Sequence, residues 1–128
     1  MKRFLSFSCS FILVVATLFL AGCKTPESTL KVFVRDKDFN LVGDVKVKIV
    51  SSSSSTPSTA KYSDKAQTNS SGYVTFNLDT FFKLQIATAR EGYFDIFIEK
   101  DGIEGSGSVR VTYQTTSVQT VQLVPPLN

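Results

Sequence analysis

Val45-Lys46-Val47-Lys48-Ile49-Val50 decides the fold class. Apolar residues at 45, 47 and 49 alternate with lysines at 46 and 48. Successive side chains of an extended strand point to opposite faces, so this pattern places valines and isoleucine on one side and ammonium groups on the other. It describes a strand with one buried and one solvated face. The same alternation recurs on both sides. Upstream, Leu30, Val32 and Val34 alternate with Lys31, Phe33 and Arg35. Downstream come Val74-Phe76-Leu78, Leu84-Ile86, Phe94-Ile96-Ile98, Val109-Val111-Tyr113 and the run from Val118 to Val124. These are seven strand candidates, and no window carries a sustained helical stripe. Asp79-Thr80-Phe81-Phe82 alone suggests a turn of helix, with Asp79 as its cap. Short alternating strands with polar breaks predict an all-β, antiparallel sandwich or barrel.

The breaks hold Gly72, Gly92, Gly102, Gly105 and Gly107, read as turn positions where positive φ is cheapest. None opens a helix or precedes a Lys-Ser/Thr pair, so none reads as a phosphate-cradling loop. Residues 51–60 are eight parts in ten Ser or Thr, with Pro57. Such a segment has little apolar surface to offset its ordering entropy and is expected to be a long mobile loop. Glycosylation, or ordering on a partner, are the sharper alternatives.

The inventory of 128 residues excludes much chemistry. There is no His and no Trp, and both cysteines, Cys9 and Cys23, lie in the first 23 residues. Imidazole bases, His-based triads and His/Cys metal sites have no material. The formal charge is +3. Lys46, Lys48, Lys61 and Lys65 are diluted by Asp44 and Asp64, so no basic stripe suggests a nucleic-acid partner.

Met1-Lys2-Arg3 is a basic start, followed by an apolar run densest from Phe11 to Leu20. This is the layout of a secretory signal peptide. It ends in Leu20-Ala21-Gly22-Cys23, which closely resembles the lipobox of bacterial lipoproteins. The resemblance implies cleavage before Cys23, transfer of a diacylglyceryl group to its sulfur and acylation of the new amino group. Small residues at 21 and 22 give a peptidase access, and the Cys23 thiol is the nucleophile. One acyl chain holds a protein only marginally, whereas two or three hold it stably. The expected organisation is a removed segment 1–22, lipidated Cys23 with a tether through residue 28, and a β-domain over 29–125. Cleavage removes 22 residues and leaves 106, with 12 basic against 11 acidic side chains. The partner so implied is membrane lipid through acylated Cys23. Lys24, a non-Asp residue after the cysteine, resembles an outer-membrane sorting signal.

Four internal stretches carry a second resemblance. Residues 34–47, VRDKDFNLVGDVKV, look like the opening of a carboxypeptidase regulatory-like, or transthyretin-like, domain. Thr68-Asn69-Ser70-Ser71-Gly72-Tyr73-Val74-Thr75-Phe76 is similar to that family's second signature. Residues 84–93, with Glu91-Gly92-Tyr93 at their end, look like its third signature, and Val121-Gln122-Leu123-Val124-Pro125 is similar to its last strand. Two positions depart: Phe39 stands where the family's turn usually has Gly, and Asp44 replaces a small residue. The resemblance implies a seven-stranded Greek-key sandwich used as an accessory, adhesive or structural module without catalysis. Invasin-type bacterial immunoglobulin-like domains share parts of both motifs and are the alternative. Related pilin-type modules form a Lys–Asn isopeptide; Lys31 lies on a first strand, but the only late Asn is Asn128, so none is expected.

Remaining candidates are weaker. Asp36, Asp38 and Asn40 have the first spacings of an EF-hand, yet Leu41 and Val47 replace its Gly and Glu, so turn chemistry is expected in place of a metal site. Asp95 and Glu99 share a strand face with Phe97 between them and read as a solvated face. Phe39, Tyr62, Phe81-Phe82 and Tyr93 offer either an aromatic platform or core packing. The sequence-level expectation is a lipid-anchored, non-catalytic binding or structural module. It has no cofactor, no metal and no catalytic residue, and it takes a protein or glycan partner. An accessory subunit of an envelope or secretion assembly is the alternative, and a small hydrolase the remoter one.

Overall fold

The structure, a computed structural model, describes residues 24–56, 58–85 and 89–125. The segment 1–22, Cys23, Ile86 and Asn128 lie outside the described residues.

The described chain forms β1 (Thr29–Arg35), β2 (Lys46–Ser51), β3 (Ser63–Gln67), β4 (Tyr73–Asn77), α1 (Asp79–Gln85), β5 (Glu91–Lys100), β6 (Ile103–Thr112) and β7 (Thr116–Gln122). They make two sheets, ordered β4-β1-β7 and β3-β2-β5-β6. Alternation places Leu30, Val32 and Val34 of β1, Val47 and Ile49 of β2, and Phe94, Ile96 and Ile98 of β5 in one core between them. That is an all-β sandwich, as the period-two pattern predicts.

Four features differ from the sequence reading. First, the sandwich is not wholly antiparallel: β1 and β7 run parallel, with Thr29 opposite Thr116 and Arg35 opposite Gln122. Both strands start at the same end of the molecule, and alternation of side chains carries no information on pairing direction. Second, Leu84 is not in a strand. It is a 66 % exposed residue in the last turn of α1. Third, Ser63-Asp64-Lys65-Ala66-Gln67 is a strand, paired through Lys48↔Lys65 to β2. It has one half-buried apolar residue, Ala66, because it lies at a sheet edge. Fourth, Asp79 is not the helix cap. Asn77 Oδ1 accepts from the Asp79 N–H at 2.9 Å, and the Asp79 carboxylate turns elsewhere.

The glycines divide into two kinds. Gly72 and Gly102 have φ of 77° and 80° and make turns as expected. Gly92, Gly105 and Gly107 lie inside strands, where the requirement is space. A Cβ on Gly92 would meet the Phe81 ring at 2.6 Å, and one on Gly105 would strike the Gln122 carbonyl oxygen. The glycines of β6 thus let β7 approach closely, and the Val124 N–H donates to Glu104 O at 3.0 Å to join the two sheets along that side.

Ser58, Thr59 and Ala60 of the Ser/Thr-rich segment are hydrogen-bonded to the rest of the domain. Gln85 is 2 % exposed; its Oε1 accepts from the Ala60 N–H at 2.8 Å, and its Nε2 donates to Ser58 O at 3.2 Å. Thr59 Oγ1 accepts from the Tyr93 N–H at 3.0 Å. One buried amide therefore fastens this connection to α1 and β5. Its composition suggests a mobile loop because the bonds come from a residue 25 positions downstream.

Candidate binding surfaces

A concave surface lies on the outer face of the four-stranded sheet. Register sets its side chains in rows. One row crosses the sheet as Gln67, Lys46, Glu99 and Glu104; the next as Lys65, Lys48, Phe97 and Ser106. All of these except Ser106 line a groove of about 610 Å³. Phe97, 49 % exposed, forms an apolar patch within it. Lys46 approaches Glu99 at 3.8 Å, an exposed pair of small energetic value. Lys48 and Lys65 stand directly opposite each other, with no ion pair to either among the described residues. Like charges facing across a strand pair are unfavourable by a few tenths of a kcal/mol or more. Asp95 and Glu99 flank Phe97 on the same face, as the sequence implies.

The outer face of the three-stranded sheet carries an aromatic pair. Phe33 and Tyr73 are cross-strand partners with ring centroids 5.5 Å apart. Lys31 Nζ lies 4.1 Å from the Tyr73 centroid and 5.0 Å from that of Phe33. Lys31 thus covers an aromatic pair and points away from the core.

A third surface lies at the end of the sandwich holding the β1–β2 connection. Phe39 is 68 % exposed, Leu41 49 % and Val124 60 %. Phe39 has φ of 65° and Asp44 of 58°. These are the two positions where the sequence departs from the transthyretin-like pattern, and both adopt the left-handed conformation that a glycine takes freely. Asp44 tolerates it, whereas a bulky aromatic does not. Around them the turn is well bonded. Asp36 Oδ1 accepts from the N–H groups of Asp38 at 2.9 Å and Asn40 at 3.0 Å. The Asp36-Asp38-Asn40 spacing therefore builds an Asx-type turn. No group of three or more metal-ligating side chains occurs among the described residues.

Thr68, 2 % exposed, donates to Val42 O at 2.9 Å and accepts from the Val45 N–H at 3.0 Å. The threonine of the second signature is thus a structural clamp between two connections. Of the other aromatic candidates, Phe81 and Phe82 are core residues, 0 % and 1 % exposed. Tyr62 packs edge-on against Phe81 and Phe94 at 5.7 and 6.0 Å. Burial, and then the nearby Asp64 carboxylate, push its hydroxyl pKa above the ordinary value. Tyr93 is half-buried. Only Phe39 of that set is fully outside. Sequence reasoning missed the Lys48–Lys65 pair and the Phe33–Tyr73 pair, since both exist only through register. Cys23 lies outside the described residues.

No family model matches the chain, and no curated protein does. Among solved structures, it is similar to the Bacillus anthracis TIE protein at 8 % identity and TM-score 0.45, covering 77 % of this chain and 17 % of that one. It is also similar to a 3-chlorocatechol 1,2-dioxygenase from Rhodococcus opacus at 14 % identity and TM-score 0.44, covering 79 % of this chain and 62 % of that one. The chain thus spans less than two thirds of either structure's length.

Proposed function

We propose that this protein is a lipid-anchored component of a bacterial envelope, carried on acylated Cys23, with a sandwich of the transthyretin-like Greek-key kind as a non-catalytic binding or structural module. The observation that carries the reading is Leu20-Ala21-Gly22-Cys23 at the end of a basic-then-apolar leader. Two or three acyl chains there give effectively permanent membrane attachment. Lys24 after the cysteine favours the outer membrane.

Partner binding is supported by the groove around Phe97 and by the exposed, strained Phe39. The latter favours a protein partner and, with it, a role as an accessory subunit of an envelope assembly. The test is fractionation of the native host with wild-type and Cys23→Ala protein, followed by affinity capture from solubilised membranes. Wild type in the membrane fraction, Cys23→Ala released from it, and stoichiometric capture of one protein that Phe39→Ser abolishes would support the reading. Equal partition of both proteins would overturn the anchor, and unchanged capture by Phe39→Ser would overturn the role given to Phe39.

A further inference from the structure

We propose that the end of the sandwich built from α1, the 52–62 connection and the β6–β7 turn lies against the bilayer, with Lys83 and Arg90 on anionic lipid headgroups and Leu84 at the boundary with the acyl chains. The inference rests on the lipid-anchor reading and adds the orientation of the domain and the surface it presents to lipid.

The tether ends at Ser28. It is 0 % exposed and bonded on three sides. Its N–H donates to Asp79 Oδ1 at 2.9 Å, its carbonyl accepts from the Leu78 N–H at 2.8 Å, and its Oγ accepts from the Gln114 N–H at 2.8 Å. The next residue is held too, since the Thr29 N–H donates to Thr115 O at 3.0 Å. Chain that can swing therefore stops before Ser28. From Cys23 to Ser28 is five residues, a reach of at most about 18 Å when fully extended. Thr25, Pro26 and Glu27 also line a recess with Asp79, Phe82, Lys83, Tyr113 and Gln114, so the tether runs beside this end. A ten-residue strand such as β6 is about 33 Å long. The end carrying Phe39 thus lies well beyond the tether's reach when the sandwich stands on its Ser28 end.

A short tether alone would also let the domain lie on a side. Surface chemistry favours the end. Leu84 is a large apolar side chain, 66 % exposed, between exposed Lys83 and the buried Gln85. Lys24, Lys61, Lys83 and Arg90 are exposed at this end, and none is ion-paired among the described residues. Against them stand Glu27 and Asp79; Glu91 is taken by Arg110 at 3.7 Å. A basic side chain near an anionic membrane surface contributes about 1 kcal/mol each. An apolar residue framed by cations suits the boundary between headgroups and acyl chains.

The chain has no Trp, so single tryptophans report position without background. The acylated protein, carrying Leu84→Trp, Phe97→Trp or Phe39→Trp, is reconstituted into vesicles of phosphatidylethanolamine and phosphatidylglycerol with brominated acyl chains. All three positions are exposed, so folding is preserved. The expected result is blue-shifted, quenched emission for Leu84→Trp and unquenched emission for the other two. Adding Lys83→Glu and Arg90→Glu should then weaken the Leu84→Trp quenching. Quenching of Phe97→Trp in place of Leu84→Trp would mean that the lysine-rich sheet face lies on the membrane, and would overturn the proposal. Acylated protein with Leu84→Trp unquenched overturns it while leaving the anchor intact. A bare Cys23 thiol in the purified protein overturns both.

Discussion

The backbone N–H of Ser28 donates to the carboxylate of Asp79, 51 residues away in sequence and 2.9 Å in space. Asp79 stands in the first turn of α1, so one side chain ties the helix to the start of β1. Replacing Asp79 by Ala leaves the Ser28 N–H without its acceptor, at a cost of about 1–3 kcal/mol. Urea unfolding should show a lower midpoint with unchanged slope. Asp79→Asn, which keeps an acceptor oxygen, should lose less.

Phe39 holds a left-handed conformation while exposing its ring. That conformation costs a non-glycine residue about 1–2 kcal/mol, partly offset by the greater entropy a glycine loses on folding. Phe39→Gly should therefore stabilise the domain by about 0.5–1 kcal/mol in denaturant melts. Asp44→Gly should gain less, because short polar side chains tolerate the same region. A destabilised Phe39→Gly would mean that the ring contributes packing its exposure does not suggest.

Gly105 and Gly102 separate crowding from conformation. Gly105→Ala would drive a methyl into the Gln122 carbonyl and to 2.9 Å from Ile98, and should abolish cooperative folding or cost more than about 3 kcal/mol. A Cβ on Gly102 meets nothing within 4 Å, so Gly102→Ala should cost only the positive-φ penalty, about 1 kcal/mol. Thermal melts of the two variants should differ accordingly.

Gln85 bonds the 58–60 segment through both ends of its amide. Gln85→Ala removes those bonds and leaves the N–H of half-buried Ala60 without its acceptor. The segment should then become accessible to limited proteolysis, with faster amide exchange at Ala60, while Val32 and Ile96 stay protected. Unchanged exchange at Ala60 would show that other contacts hold this connection.

Tyr62 makes alkaline stability pH-dependent. Its pKa is raised in the folded state, so the folded protein holds the phenolic proton more tightly than the unfolded chain. The resulting stability is fully present below the unfolded value of about 10 and is lost as pH rises through the folded pKa. Tyr62→Phe should flatten that part of the profile measured by urea melts above about pH 10.

The central strands were legible because each has one face in the core. Val47 and Ile49 are 1 % and 0 % exposed, and the lysines between them are outside. β3 was not legible. It pairs on one side only, and its inward positions are Asp64 and Ala66. Leu84 and Ile86 read as a strand because two apolar residues at spacing two carry no length information; Leu84 is the exposed side of a short helix. The parallel pairing of β1 with β7 depends on where chains start, which no local pattern encodes. Surface pairs such as Lys48–Lys65 and Phe33–Tyr73 arise only once register is set. The two departures at Phe39 and Asp44 did mark real backbone features, since both occupy positive φ. The lipid-attachment expectation at Cys23 rests on sequence alone.

The most direct test is the intact mass of the protein extracted from membranes of its native host. The expected mass is that of residues 23–128 carrying a diacylglyceryl thioether on Cys23 together with an acyl group on its amino nitrogen. A mass equal to the unmodified chain, whether full-length or cleaved, would show a free thiol at position 23 and contradict it.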